Sequence, residues 1–556
     1  MSFACNILRA LGFCLLLAAY LNAQPSPYRY FGQQPGERYG SAVAFLGDID
    51  GDGDDEIAIG APWYSGNYFA NGRVEVRRRR GGVIYQSFGF GFAEQFGATL
   101  DSVPDVDGDG VADLLVGAWG DSSLGLNTGR VYLLSGATGN QIWTQTGTST
   151  GDRFGFDVAY AGDTHGTGIP SVIIGAPGHN NDTGAAFILS ATNGSVLHMI
   201  TPPHPSGHFG HSVSGAGDIN AGVDDDVIIG APFTDTNGMD SGQIYFADGL
   251  TASIIAQVQG QSGSLLGFCV SGFADVTGDG RNDYLAGAPW YTSAGLPSGR
   301  GFLRESLNNG AAPIVTLSGT QVSESFGSQI APAGDRNGDG LLSVICGGPG
   351  WDGPLGINQG RVVIHDENSQ QLFLAEGGTA GEEFGSAIAS RGDYNGDGRP
   401  DVIVGAPRYD PGPMTDAGSV VVYAAEGAAP YGSGLGGLNT IDLTTSGGTN
   451  TGEVLHLVVS NGPASGPGQI GLSLNPANLT VTLPGGPLTL LLELTTLAPT
   501  ISYTHDAAGA FSLGFYILPS VIAVAGGSTL YAQVGGFDPV HLTWHASNGM
   551  ALTFGY

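Results

Sequence analysis

Lysine is missing altogether: the 18 basic residues are all arginine. That removes Schiff-base and pyridoxal chemistry, the phosphate-loop lysine and the kinase-type lysine from consideration. Charge of either sign is scarce, 12% of residues against ~25% in ordinary soluble domains. What charge there is runs acidic, with a formal net charge of −32. Such a surface repels nucleic acid and anionic membranes and favours divalent cations or a basic ligand. Long apolar runs are absent beyond the N-terminus; the longest, near Leu488 to Leu492, is far too short to cross a bilayer. Cysteine is also rare, with four in the chain. Cys5 and Cys14 fall within 1–23, where Arg9, the apolar stretch Leu11 to Ala19 and Ala23 before Gln24 read as a secretory leader. A secreted protein is expected. Cys269 and Cys346 remain, too few for a disulfide framework, and either pair or stay as buried thiols.

Glycine and proline, by contrast, are abundant, at 96 and 30 residues. Without a period this composition would approach disorder. A period is present. An aromatic-Gly pair recurs with its glycine at Gly40, Gly97, Gly155, Gly210, Gly267, Gly327 and Gly385. An aspartate follows eight residues later in every copy: Asp48, Asp105, Asp163, Asp218, Asp275, Asp335 and Asp393. Twelve residues further comes another glycine: Gly60, Gly117, Gly175, Gly230, Gly287, Gly347 and Gly405. Each copy holds short β-rich runs bounded by Gly, Asn and Asp, four per repeat. Seven repeats of four strands predict a seven-bladed β-propeller, a ring that leaves few open sheet edges. The seventh repeat shows three strands, ending at Tyr423, whereas Tyr28-Arg29-Tyr30-Phe31 precedes the first. The N-terminal run is therefore expected to complete the last blade.

The pairs Phe96-Gly97, Phe154-Gly155, Phe209-Gly210, Phe326-Gly327 and Phe384-Gly385, with Gly-Ala-Pro at 60–62, 175–177, 230–232, 287–289 and 405–407, resemble the FG-GAP repeat family. That family includes the propeller at the head of integrin α chains and of many secreted bacterial proteins. The resemblance spans about 28–424. Variant copies are Tyr39-Gly40, Leu266-Gly267, Ala118-Trp119 and Gly348-Pro349.

The loop between the first two strands of each repeat reads as a calcium loop. Calcium takes six to eight oxygens, and carboxylates at loop positions one, three, five and nine, with the position-seven carbonyl, can converge on it. The complete sets are Asp48, Asp50, Asp52, Asp54 (carbonyl) and Glu56; Asp105, Asp107, Asp109, Val111 (carbonyl) and Asp113; and Asp393, Asn395, Asp397, Arg399 (carbonyl) and Asp401. The fifth, Asp275, Thr277, Asp279, Arg281 (carbonyl) and Asp283, also suffices. The sixth, Asp335, Asn337, Asp339 and Leu341 (carbonyl), ends in Ser343. The third (Asp163, His165, Thr167, Ser171) and fourth (Asp218, Asn220, Gly222, Asp226) lack key oxygens and read as bare turns. About four calcium ions are expected, five if the sixth loop binds, all structural. The resemblance implies the same, since the integrin family carries calcium-binding hairpin loops here.

Aromatics follow the Gly-Ala-Pro triplet: Trp63, Tyr64, Trp119, Phe233, Trp290, Tyr291, Trp351 and Tyr409. Ring symmetry places them near one rim, as a stacking surface for sugars or a protein, or as packing between blades. The resemblance implies that this rim, opposite calcium, is the ligand face. Arg391-Gly392-Asp393 matches the tripeptide that integrins recognise, but Asp393 opens a calcium loop. Arg77 to Arg80 reads as a solvated hairpin edge, and His204, His208 and His211 lack the acidic or cysteine partners of a metal site. No catalytic residues emerge; Ser149 matches a nucleophile-elbow spacing but lies between propeller strands.

After Tyr423 the composition shifts. Residues 427–437 read as a Gly-rich linker. Strand-like runs at 454–459, 469–474, 479–483, 488–493, 511–517, 529–534 and 542–544 predict a small β-sandwich over 438–556. The expected function is a secreted calcium-binding adhesion scaffold for a cell-surface glycan or protein. A propeller-based polysaccharide-degrading enzyme and a purely structural cell-envelope component are the alternatives.

Overall fold

A computed structural model describes residues 28–79, 82–203, 207–293, 295–307, 312–336 and 340–424, together with backbone strands within 441–554. The leader, Cys5, Cys14, Arg80, His204, Asn337, Asp339, the 427–437 linker and the run 529–534 lie outside the described residues.

Seven four-stranded antiparallel sheets recur along 28–424. In the first blade β2 (Ala42–Gly47), β3 (Glu56–Ala61), β4 (Arg73–Arg78) and β5 (Gly82–Phe88) pair in sequence order. The second strand of each blade is buried on both faces; β3 has no residue exposed. This is why these runs read as continuously apolar and not as alternating. The last blade consists of Ala387–Ser390, Val402–Ala406 and Ser419–Tyr423, and its fourth strand is β1 (Tyr28–Phe31). The register is Tyr28 opposite Val422 through Phe31 opposite Ser419. The expected closure by the N-terminal run is therefore what the chain does.

Seven apolar clusters form the core, one between each pair of neighbouring blades. Between the first and second lie Leu46, Val74, Val76, Phe96, Leu114, Val116 and Tyr132. Between the seventh and first lie Tyr39, Val43, Ile57, Ile59, Ile403, Val420 and Val422, which completes the ring.

The repeated glycines have a steric cause. Gly60, in the Gly-Ala-Pro triplet of one blade, backs onto Gly97 of the next: a Cβ on Gly60 would sit 2.1 Å from the Gly97 carbonyl oxygen. The residue before each repeat glycine, aromatic except for Leu266, forms a bridge with the glycine opening the third strand of the adjoining blade, as Phe96 does with Gly72. Gly72 has φ of +85°, and a Cβ there would lie 2.2 Å from the Phe96 oxygen. The landmarks are thus where backbone meets backbone between blades, which allows no side chain.

Cys269 and Cys346 are buried, free thiols in the cluster between the fifth and sixth blades. No helix among the described residues is long and apolar enough to cross a membrane. The chain divides into two units, Met1–Glu426 and Gly427–Tyr556. In the second, Ile441–Ser446, Val454–Val459 and Gly468–Ser473 form one sheet. Hairpins pair Asn478–Leu483 with Gly486–Leu491, Thr500–His505 with Gly509–Gly514, and Leu542–His545 with Ala551–Phe554.

Candidate calcium loops and an aromatic rim

In every blade the acidic loop joins the first strand to the second, and the Gly-Ala-Pro triplet lies at the far end of that second strand. The two features therefore occupy opposite ends of each blade, roughly 17–20 Å apart for a six-residue strand.

The acidic loops are organised by their own backbone. Asp48 accepts hydrogen bonds from the N–H groups of Gly51 (2.7 Å), Asp52 (3.1 Å) and Gly53 (3.0 Å). Asp105 accepts from Gly108 (2.6 Å) and Gly110 (2.9 Å), Asp275 from Gly278 (2.6 Å) and Gly280 (2.8 Å), and Asp393 from Asp397 (2.9 Å) and Gly398 (2.6 Å). In the sixth loop Gly340 donates to Asp335 at 2.9 Å. The position-nine carboxylates are fully buried, and each accepts the position-two N–H: Glu56 from Ile49 (2.9 Å), Asp113 from Val106 (2.9 Å), Asp283 from Val276 (3.0 Å) and Asp401 from Tyr394 (2.8 Å).

Two of the predicted sets converge. One ligand oxygen each of Asp48, Asp50 and Glu56 lie within 4.8 Å of one another, as do those of Asp105, Asp107 and Asp113. Asp52 and Asp109 stand outside these groups; they accept from Asp54 (3.0 Å) and Val111 (3.0 Å). No such trio forms in the fifth or seventh loop among the described residues. Ser343, in place of a carboxylate, is buried. Loop one also passes the stricter test of fit. Glu56 Oε1 is buried with no hydrogen-bond partner among the described residues. Burial, with Asp50, Asp52 and Asp48 nearby, pushes its carboxyl up to about 7. A cation would satisfy the oxygen and reverse the penalty.

The arginine run is not a solvated edge. Arg77 pairs with Glu75 (2.6 Å) and covers the Tyr30 ring, Arg78 pairs with Asp50 (3.0 Å), and Arg79 pairs with Asp54 (2.7 Å). The hairpin therefore lies over loop one and offsets part of its negative charge. The Arg391-Gly392-Asp393 tripeptide is not presented freely, because the Asp393 carboxylate holds the turn of its own loop.

A third acidic trio, Asp224, Asp226 and Asp248, was not anticipated. The fourth loop lost its position-five oxygen, but Asp224 stands at position seven and Asp248 comes from a different hairpin. Asn220 donates to both Asp226 and Asp248 at 3.2 Å, tying them together. Burial raises Asp226 to about 7.

At the opposite end the predicted aromatics separate into two kinds. Tyr64, Tyr291, Trp351 and Tyr409 carry guanidinium groups: Arg73 at 4.9 Å, Arg300 at 4.0 Å, Arg361 at 5.6 Å and Arg29 at 4.6 Å. Trp351 is buried, whereas Tyr64, Tyr291 and Tyr409 are half-buried. Trp63, beneath Arg38, is partly exposed, and Trp290 is 57% exposed. Trp119 and Phe233 join a further cluster, in which Phe156, His211 and Phe268 meet at tilted angles with ring centroids 5.0 and 4.7 Å apart. His208 lies against Phe233, so both described histidines of the trio contact aromatic rings.

Burial holds His211 down at about 4, below its ordinary 6.5. The unfolded chain therefore binds the extra proton first, and stability is lost as pH falls from 6.5 towards 4. At pH 5 the cost is expected to be about 1 kcal/mol after discounting the ring's partial exposure. His211→Phe should flatten that limb in urea titrations at pH 7.5 and 5.

The rim also bears rings that the repeat pattern does not announce. Ala61 lies opposite Arg73 and Arg73 opposite Phe88, so residues 62–72 and 89–95 emerge at the same end. Tyr68 (52%), Phe69 (58%), Phe90 (74%) and Phe92 (67%) are exposed there, and Phe69 and Phe92 touch. The Phe-Gly alternation at 88–92 was the available signal.

The FG-GAP repeat family profile matches residues 39–74, 96–134 and 384–423. The chain is similar to human "Integrin alpha-IIb", 31% identical over 242 residues, covering 40% of this chain and 22% of that one. It is similar to Xenopus laevis "Integrin alpha-4" at 30% over 246 residues, and to Drosophila melanogaster "Integrin alpha-PS2" at 32% over 213. These matches cover 42% and 34% of this chain and 23% and 15% of the relatives, so the aligned stretch spans under a quarter of each integrin chain. The solved "Structure of Dos1 propeller" aligns over 69% of this chain and 77% of its own, at 13% identity and a TM-score of 0.39.

Proposed function

We propose, for a chain whose first unit is a seven-bladed propeller of FG-GAP repeats similar to those of integrin α chains, that it is an extracellular binding scaffold. Calcium holds its acidic loops, and its aromatic rim takes a protein or glycan partner. The observation that carries the reading is the exposed set Tyr68, Phe69, Phe90, Phe92 and Trp290 at the end of the blades opposite the acidic loops. Exposed large apolar side chains, with Phe69 and Phe92 in contact, mark candidate interaction sites, and Trp290 stands separately on the fifth blade. Aromatic side chains supply large contact area at low entropic cost. Asp48, Asp50 and Glu56, and Asp105, Asp107 and Asp113, would hold ions by carboxylate oxygens. The remaining expected ligands, in the fifth, sixth and seventh loops, belong to the same proposal. The ion supplies charge neutralisation and rigidity.

The test is capture on glycan and extracellular-protein arrays. The paired change Phe69→Ser with Phe92→Ser, and separately Trp290→Ala, should reduce capture at least tenfold, the effect of losing an interface anchor. Melting should move little, because these rings are exposed. Undiminished capture by both variants would dismiss the rim.

A further inference from the structure

Most repeats give a buried acid a basic partner, and one blade keeps an arginine without the acid. Three residues before the repeat glycine, five blades carry a buried acid: Glu37, Glu94, Asp152, Glu324 and Glu382. Each accepts backbone N–H groups of the turn before it. Glu324, for instance, accepts from Thr320 (2.6 Å) and Gln321 (3.1 Å), and Asp152 from Thr148 (3.1 Å) and Ser149 (2.8 Å). Most also hold a cationic or imidazole partner. Arg361 reaches Glu324 at 2.7 Å, Arg73 reaches Glu37 at 3.4 Å, Arg29 reaches Glu382 at 3.4 Å, and His179 meets Asp152 at 3.2 Å. In the fourth blade both members are gone, with Gly207 and Gln243 at the two positions.

The fifth blade alone keeps the arginine without the acid. Arg300 stands where Arg73 and Arg361 stand, stacked on Tyr291 as Arg361 is on Trp351. The acidic position is Ser264, whose hydroxyl turns away to the Ser241 carbonyl at 2.8 Å. Arg300 bonds only neutral hydroxyls, Ser318 at 3.1 Å and Ser293 at 2.9 Å. It has no ion pair among the described residues, although the chain carries −32 net charge. A cleft of about 610 Å³ lies between the fourth and fifth blades, and Ser264 is on its wall. Ser264, Arg300 and a second arginine without an ion pair, Arg304, line it, with the amides of Gln257, Gln259 and Gln261. That volume falls in the usual range for small-ligand sites.

We propose that this cleft binds a carboxylated sugar whose carboxylate takes the place Glu324 occupies in the sixth blade. Guanidinium groups are suited to carboxylates. Amide side chains both donate and accept, as sugar hydroxyls do. The strongly acidic surface disfavours a densely charged peptide and tolerates one carboxylate on an otherwise neutral ring. This rests on the scaffold reading and adds to it a ligand class at a cleft beside Trp290, on a different blade from Phe69 and Phe92.

The experiment titrates the full-length protein with glucuronate and galacturonate, with glucose as the neutral control and an acidic tripeptide as competitor. The key variant is Ser264→Glu, which returns the missing acid beside Arg300 and competes with a ligand carboxylate for it. It is expected to weaken uronate binding roughly tenfold to a hundredfold, the range for losing a hydrogen bond to a charged group. It should leave melting unchanged or raised. Arg300→Gln provides a second route to the same loss. Uronate binding that survives Ser264→Glu, equal binding of glucose, or tripeptide binding that matches uronate would each overturn the proposal. A protein that captures partners at the rim but ignores uronate sinks the cleft alone; one that binds nothing in either assay sinks the scaffold reading with it.

Discussion

Returning calcium to chelator-treated protein is expected to raise its melting temperature by several degrees. At a hundredfold excess over the dissociation constant, each independent site adds about 2.7 kcal/mol, so the two convergent loops alone add about 5 kcal/mol. The variant that isolates the effect is Glu56→Gln. Without calcium the native side chain is a buried carboxylate with one unpartnered oxygen, pushed up to about 7. An amide there is neutral and keeps an oxygen for the Ile49 N–H. Glu56→Gln should therefore match or exceed the native protein in chelator, yet gain less on calcium addition. Scanning calorimetry of both proteins with and without calcium reads the crossing directly. A native protein that melts identically in both conditions would mean the loops are bare turns.

Removing residues 24–34 is expected to cost on the order of 5 kcal/mol, a third or more of typical domain stability. The deletion strips β1 from Ser419–Tyr423 and exposes a strand edge. It takes Arg29 from Glu382, a carboxylate with no exposure, and Tyr30 from its hydroxyl contact with Tyr394. Leaving a buried charge without its partner accounts for most of that figure. Urea midpoints of the deletion and of Arg29→Ala, which should fall between the two, check it. An unchanged midpoint would show that the ring does not depend on this strand.

The architecture was legible because its constraints are local and repeated. Gly60 against Gly97, and Gly72 against Phe96, recur around the ring, so the steric demand at the blade junctions is written into the chain as a period. The missing fourth strand of the last blade and the spare run at Tyr28–Phe31 could be matched by counting. The site was legible only where its ligands are neighbours in sequence. Asp48, Asp50 and Glu56 belong to one turn; Asp248 reaches Asp224 and Asp226 from another hairpin. Arg78 on Asp50 depends on how a hairpin folds over the loop, which residue types do not specify. The eight aromatics look alike in the repeat pattern. Only the folded chain tells the buried Trp351 beneath Arg361 from Trp290, which is 57% exposed. Ser264 is an unremarkable serine until Glu324 shows what the position does elsewhere.

The closure of the last blade also sets a clock. Tyr30 and Tyr394 are separated by 364 residues, and both must exist before the ring can shut. At ordinary synthesis rates, roughly 20 to 70 s pass between the emergence of one and the other. Throughout that interval the first strand of the nascent chain has nothing to pair with. The early blades stack while the gap between first and last stays open. Such a chain is vulnerable until its end is made, and a helper that shields a strand edge would act on it during synthesis, before the completed ring has any use for one.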